Sequence, residues 1–233
     1  MESLSNLQNQ NVIVQTADGS NTIYNPLIGE NYHSKHGALQ ESKHVFVNSG
    51  LQYFLDGKPG ANAISILEVG FGTGLNFLLS ADLCTEKGIK LDYTGIEAYP
   101  LSLDMISKTG YDQYLSKDLW QHFIFNYEKA FLSTINLSEN CKLQIANCKL
   151  LDFQSEQKYD IVYFDAFAVA RQPEMWDHDA ISHTVQFLKT GGVFVTYAIT
   201  GNLKRALKAL DCKVEKAPGA PGKREMLRAM KIV

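Results

Sequence analysis

The run Ile66-Leu67-Glu68-Val69-Gly70-Phe71-Gly72-Thr73-Gly74-Leu75 constrains the fold of this chain more than any other segment. An apolar strand passes directly into a glycine-rich turn, and a helix-forming stretch follows. Gly70, Gly72 and Gly74 let backbone approach a ligand closely and adopt conformations closed to residues with a Cβ. A helix behind such a turn offers its first N–H groups to an anionic group. A second apolar strand, Tyr93-Thr94-Gly95-Ile96-Glu97, closes on an acid placed to accept hydrogen bonds from a ribose diol. Strand, glycine turn, helix, strand and acid together predict a half-site for an adenosine-containing cofactor.

Spacing selects among such cofactors. Dinucleotide sites favour G-x-G-x-x-G, in which the third glycine packs helix against strand around a pyrophosphate. Here the order is Glu68-x-Gly70-x-Gly72-x-Gly74, with a carboxylate leading. A carboxylate beside the turn repels a pyrophosphate and suits the ammonium of a methionine moiety. The arrangement resembles motif I of the class I S-adenosylmethionine (SAM) methyltransferases, with Glu97 at the ribose-binding position. Asn76, just behind the glycines, joins the expected cofactor-binding set. The alternatives are NAD or FAD, or a tight turn with no ligand.

A chain of 233 residues accommodates one large α/β domain with a full core. Its 45% hydrophobic and 20% charged residues are ordinary for a globular protein, and no apolar run reaches membrane-spanning length. Met1-Glu2-Ser3-Leu4-Ser5-Asn6 lacks the basic and apolar regions of a secretion signal. Cys84, Cys141, Cys148 and Cys212 fall in no metal or redox spacing, so reduced thiols and a cytoplasmic location are expected. His33, His36 and His44 invite a metal, but no cysteine or close acid completes a ligand set, and no metal is expected.

Residues 1–11 are polar, and frayed on this reading. Asn11 to Tyr24 reads as a hairpin around Asp18-Gly19-Ser20. Residues 25–40 look irregular and too polar for a core element, and Gln40 to Phe54 has helical spacing. Residues 1–60 are thus expected to form an N-terminal extension, and 61–233 the nucleotide-binding domain. Strands are expected at 64–69, 91–97, 142–147, 159–165, 192–199, 211–217 and 225–232. Helices are expected at 74–87, 100–108, 112–135, 174–188 and 201–210. The alternation implies a Rossmann-like α/β fold with a seven-stranded, mostly parallel sheet whose last strand is antiparallel.

Ligands of such sheets sit at the carboxyl ends of the strands. Asp152, after the strand at 142–147, is placed to face an adenine edge or, equally, to lie in a surface loop. Asp165 ends the apolar run Tyr159-Asp160-Ile161-Val162-Tyr163-Phe164 and stands where a methyl donor is expected. Phe167 then supplies an aromatic ring to a substrate pocket.

The segment Asp165-Ala166-Phe167-Ala168-Val169-Ala170-Arg171-Gln172-Pro173-Glu174-Met175-Trp176 resembles the MnmC-type methyltransferases, which modify the wobble uridine of certain tRNAs. Further blocks carry the likeness: Thr16 to Ser20, Gly29 to Ala38, Glu41 to Phe46, Glu68 to Phe77 and Gly219 to Met226. It spans the chain from about residue 12 to its end. Val169 departs from the family pattern, which commonly has proline there. The resemblance implies methylation of the exocyclic amine of 5-aminomethyl-2-thiouridine, with SAM as donor and the tRNA anticodon region as partner. A FAD-dependent oxidase domain, present in fused members, is not expected on this chain.

The chemistry then assigns roles. A protonated alkylamine cannot attack a sulfonium until it loses a proton, and a nearby carboxylate can take it. Asp165 is the expected base, with Phe167 packing on the nucleobase. Glu30, Tyr32, His36, Glu41 and His44 are expected to cover the cofactor or a flipped base. Residues 201–233 hold nine Lys or Arg against three Asp or Glu, a phosphate-binding patch or simply a solvated face. Lys223 and Arg224 are the first candidates for contacting tRNA, unless they pair with acids such as Glu225. Competing readings are a SAM-dependent methyltransferase or aminopropyltransferase-like enzyme acting on a small amine, an NAD-dependent oxidoreductase, and a non-catalytic RNA-binding protein. No second acid follows Asp165 closely, which disfavours aminopropyl transfer.

Overall fold

The structure, a computed structural model, describes residues 11–233. The expectation of a frayed start falls largely on residues 1–10, outside the described residues. β1 (Val12–Gln15) and β2 (Asn21–Asn25) form the expected hairpin, and a short β3 (Glu30–Asn31) extends it. The segment 25–40 is thus less irregular than its polarity suggested. Thr22 and Ser20 satisfy its buried polar groups, so His33 is buried despite a polar surrounding sequence.

The helix α1 follows over residues 38–56, and its middle, Ser42–Gln52, is π-wound. The Tyr53 N–H bonds back to Asn48 O, five residues earlier, as that winding requires. Gly50 lets α1 lie directly on the sheet, because a Cβ there would press on Tyr163 and Val195 at 2.9 Å.

The main sheet is built from β4 (Ala63–Val69), β5 (Lys90–Ile96), β6 (Ile135–Ser138), β7 (Cys141–Ala146), β8 (Tyr159–Phe164), β9 (Leu188–Thr196), β10 (Cys212–Pro218) and β11 (Glu225–Lys231). Their order across the sheet is β10-β11-β9-β8-β4-β5-β7-β6. The sheet has eight strands, not seven. The extra one, β6, is only four residues long and pairs antiparallel to β7 at the sheet edge. It lies at the end of the region expected to be one long helix. That region instead breaks into α4 (Lys117–Asn126) and flanking single turns at Tyr111–Tyr114 and Glu128–Phe131. β11 runs antiparallel between β9 and β10, the reversed last strand.

The remaining helices are α2 (Leu75–Glu86), α3 (Leu103–Ser107), α5 (His178–Val185) and α6 (Gly201–Ala209). One face of the sheet packs on α1, α2 and α4; the other packs on α5 and α6. Strands β4 and β8 are covered on both faces, which explains their nearly continuous apolar runs. On the first face Phe71, Phe77, Tyr93, Phe123 and Tyr127 interlock, with neighbouring ring centroids 5.0–6.5 Å apart. Truncating such a buried ring to alanine costs about 3–5 kcal/mol. Phe71 belongs to the glycine turn itself, so this cluster clamps the turn to the sheet. No described helix is long and apolar enough to cross a membrane.

Candidate active site

The glycine turn leaves the carboxyl end of β4. Gly70 has φ +84°, and a Cβ there would collide with the Asp165 carbonyl. Gly72 has φ +51°, and a Cβ there would meet the Tyr32 ring at 2.9 Å. Both glycines are therefore required by backbone conformation and by close neighbours. Gly74 stands at the N-terminus of α2 in the left-handed region.

Glu97, just beyond β5, accepts the Gly72 N–H at 2.9 Å through one oxygen and the Tyr99 N–H at 3.0 Å through the other. Burial raises its pKa above the ordinary carboxylate value, and the backbone N–H donors oppose that shift. Its carboxylate is thus fixed beside the turn, with lone pairs remaining for a diol.

Glu68 departs from expectation. It is wholly buried, with Asn76 Nδ2 donating to Oε1 at 2.8 Å and Tyr93 Oη donating to Oε2 at 2.8 Å. A side chain so enclosed does not meet a ligand's ammonium; it orients Asn76. The same Asn76 Nδ2 donates to Asp165 Oδ2 at 2.8 Å, while Asn76 Oδ1 is buried without a partner. Burial and the neighbouring Asp165 push Glu68 well up. Burial and the Glu41 charge push Asp165 up to about 8, against the Asn76 hydrogen bond and the Lys223 charge.

The loop after Asp165 is tied from several sides. The Phe167 N–H donates to Gln172 Oε1 at 3.2 Å, and Trp176 Nε1 donates to Phe167 O at 2.8 Å. Glu30 accepts the Ala168 N–H at 3.0 Å. Tyr32 stands edge-on to Phe167, centroids 5.0 Å apart, and covers Gly72. His33 reaches the turn too, its Nε2 3.4 Å from Thr73 Oγ1 and its Nδ1 3.1 Å from Thr22 Oγ1.

Glu41, on α1, accepts the Ser34 N–H at 2.8 Å and Lys223 Nζ at 2.7 Å. Lys223 is therefore not paired with Glu225, which Lys216 holds at 3.2 Å. Glu68, Asn76, Glu97, Asp165, Phe167, Glu30, Tyr32, Glu41 and Lys223 thus gather around the glycine turn and the end of β8. Four expected residues make none of the side-chain bonds that join this group. Asp152 is exposed on a single turn beyond β7. His36 is exposed with its ring against Gly222, and His44 bonds Pro218 O at 2.8 Å, so both tie the extension to the terminal hairpin. Arg224 is exposed.

Sequence reasoning missed Tyr197, whose hydroxyl donates to Ala166 O at 2.8 Å and whose ring lies 3.7 Å from Lys223 Nζ. It stands at the carboxyl end of β9, so the strand-end rule that found Asp165 applies to it. Gln172 and Trp176 lie inside a recognised block but gain a role only through their bonds to Phe167. Among the described residues no three His, Cys, Asp or Glu are grouped as metal ligands.

Comparison with known proteins agrees with this geometry. The model of a family described as S-adenosyl-L-methionine-dependent methyltransferase matches residues 112–232. A Leptospira interrogans protein named tRNA 5-methylaminomethyl-2-thiouridine biosynthesis bifunctional protein MnmC is 29% identical over 204 residues, covering 84% of this chain and 32% of the relative. The protein of that name from Polaromonas naphthalenivorans is 28% identical over 225 residues, covering 91% and 34%. The chain therefore spans about a third of the length of the curated relatives it matches. The crystal structure of MNMC2 from Aquifex aeolicus shares the fold, with TM-score 0.74, 24% identity, and coverage of 94% of this chain and 70% of that one. The glycine turn with Glu97 fits SAM, and the chain, MnmC-like in its resemblance, belongs to the S-adenosyl-L-methionine-dependent methyltransferase family.

Proposed function

We propose that this chain methylates the exocyclic amine of 5-aminomethyl-2-thiouridine at the tRNA wobble position, giving 5-methylaminomethyl-2-thiouridine. The observation that carries the reading is Asp165, held by Asn76 at the end of β8 and followed by a braced aromatic residue, Phe167. Its support comes from relatives named for biosynthesis of that nucleoside. Of the extension expected over residues 1–60, the described part, 11–60, acts in this reading as a cover on the domain formed by 61–233.

SAM, when bound, supplies an electrophilic methyl group. Glu97 would hold the ribose diol, with the backbone around Gly70 and Gly72 leaving room for the rest of the cofactor. Asp165 accepts the proton that the substrate ammonium must lose before nitrogen attacks. The nitrogen–carbon bond forms as the sulfur–carbon bond breaks, leaving S-adenosylhomocysteine and a secondary amine. Phe167 and Tyr32 offer ring faces and edges to the nucleobase, and Glu30 keeps the Phe167 loop in place. Holding amine and methyl in line supplies much of the rate.

Incubation with SAM and tRNA bearing the aminomethyl group, then nucleoside mass analysis, tests the reading. Gain of one methyl on that nucleoside is expected. Methyl transfer to small amines but not to this tRNA overturns it in favour of a small-molecule methyltransferase.

A further inference from the structure

Tyr197, Glu41 and Lys223 come together from three distant parts of the chain. In the parallel β8–β9 pair, Tyr163 stands opposite Val195. Two residues on, at the strand ends, Asp165 and Tyr197 therefore emerge side by side on the same face, the one that α1 covers. Glu41 on α1 is buried, yet it keeps a carboxylate whose one oxygen accepts only a backbone N–H among the bonds described. Its other oxygen takes the Lys223 ammonium at 2.7 Å, and the same ammonium lies 3.7 Å from the Tyr197 ring centroid. An aromatic face joined to a carboxylate is the combination that recognises an alkylammonium.

We propose that Glu41, Tyr197 and Asp165 form an alkylammonium subsite, which the chain's own Lys223 fills until the substrate amine takes its place. The proposal rests on the amine-methylating reading for the identity of the substrate, though not for the subsite itself. Lys223 suits an exchangeable occupant. Its side chain is about a third exposed, whereas that of Glu41 is 8% exposed. It projects from the turn between β10 and β11, on a flexible stem carrying a compact charge. A substrate ammonium is the same chemical group on a similar tether. When it enters, Glu41 retains a cationic partner, Tyr197 retains its cation, and Lys223 is released toward solvent. The incoming amine then lies beside the carboxyl that is to receive its proton.

Lys223→Met keeps the stem on Tyr197 and removes the competing charge. Two measurements test the subsite. First, tRNA with and without the aminomethyl group is titrated against wild type and Lys223→Met. The preference for the aminomethyl form is expected to grow roughly three- to tenfold in the variant, because an internal competitor is gone. Second, n-butylammonium is titrated calorimetrically. Binding is expected to Lys223→Met, with weaker or no binding to wild type, and loss on adding Tyr197→Leu, with circular dichroism reporting the fold. Equal weakening of both tRNA forms would make Lys223 a phosphate-binding residue and overturn the proposal. Failure of Lys223→Met to bind n-butylammonium also overturns it. Binding of n-butylammonium, with no methylation of aminomethyl tRNA by wild type, would uphold the subsite and reject the proposed tRNA substrate.

Discussion

Glu68 and Asp165 share one amide nitrogen: Asn76 Nδ2 lies 2.8 Å from an oxygen of each. Glu68 is wholly buried and Asp165 only partly exposed, and two carboxyls so close disfavour simultaneous ionisation. Burial and the Asp165 charge shift Glu68 up, while burial and the Glu41 charge bring Asp165 to about 8. Removing the bridge leaves both carboxyls short of a donor. Asn76→Ala is expected to destabilise the fold by about 1–3 kcal/mol, the cost of stranded buried polar groups. Asn76→Asp adds a third carboxyl and should be worse at pH 8 than at pH 5. Chemical denaturation at both pH values checks the order, and an Asp variant as stable as Ala at pH 8 counts against the shared-bridge account.

Asp165→Asn separates catalysis from stability. As the proposed base, Asp165 should give methyl transfer that rises with pH toward a plateau above about 8, where its carboxyl has ionised. The Asn variant is expected to lose roughly a hundredfold or more in rate. Its stability should move the other way. The folded pKa lies above the ordinary 3.8, so the folded state holds the proton more tightly and wild type loses stability as pH rises from about 4 to 8. Asn escapes that loss, and its advantage in thermal unfolding should be larger at pH 9 than at pH 5. A variant with wild-type rate and pH profile would make Asp165 structural.

Glu97→Ala removes both the proposed diol acceptor and the partner of the Gly72 N–H. SAM binding should weaken by about 1–3 kcal/mol, the range for a charge-assisted hydrogen bond. Glu97→Gln keeps a neutral acceptor and should fall between Ala and wild type. Calorimetric titration of all three decides this; unchanged affinity in a folded Ala variant removes Glu97 from the site.

His33 ties the N-terminal hairpin to the glycine turn through Thr22 and Thr73. Burial lowers its pKa from 6.5 to about 4, with Glu41 and Asp18 opposing the shift. A depressed pKa means the neutral ring stabilises the fold at higher pH. That contribution is present above about 6.5 and is lost as pH falls toward about 4. Amide exchange of residues 12–31 should accelerate across that window relative to β4 and β8. His33→Asn should flatten the trend, whereas an identical pH response in the variant would assign it to another group.

The glycine turn, the acid ending β5 and the acid ending β8 are legible in the sequence because each is local: strand, turn and terminal carboxylate stand in one short run. Most helices and strands of the sheet are legible by periodicity. β6 is not, because a four-residue edge strand has little pattern of its own and follows a helical stretch. Glu68 is legible in its place along the chain but not in its depth. Its role depends on Asn76 and Tyr93, and only strand pairing brings Tyr93 alongside. The Glu41–Lys223 pair joins residues 182 apart, a distance over which a sequence carries no geometric signal.

The basic C-terminal segment divides sharply in the structure. Lys216 and Arg228 pair with Glu225 and Glu215, Lys223 with Glu41, and Lys231 donates to Val185 O and Leu188 O. Lys216, Arg228 and Lys231 are committed to the fold and Lys223 to the Glu41 carboxylate, which moves the expected phosphate-binding positions elsewhere. Thr200 caps α6 just past the carboxyl end of β9, so Lys204 and Arg205 lie at the rim of the site, and Arg224 enters β11 at the same edge of the sheet. Lys213 sits near the opposite end of β10 and serves as a control. If tRNA docks on this rim, replacing Lys204, Arg205 and Arg224 with Ala should reduce the slope of log affinity against log salt. Each phosphate left without its cation lowers that slope by about 0.7–0.9. SAM affinity should be unaltered, and Lys213→Ala should leave the slope as it is. A triple variant with the wild-type slope would reject docking on this edge and make the charges an ordinary solvated face.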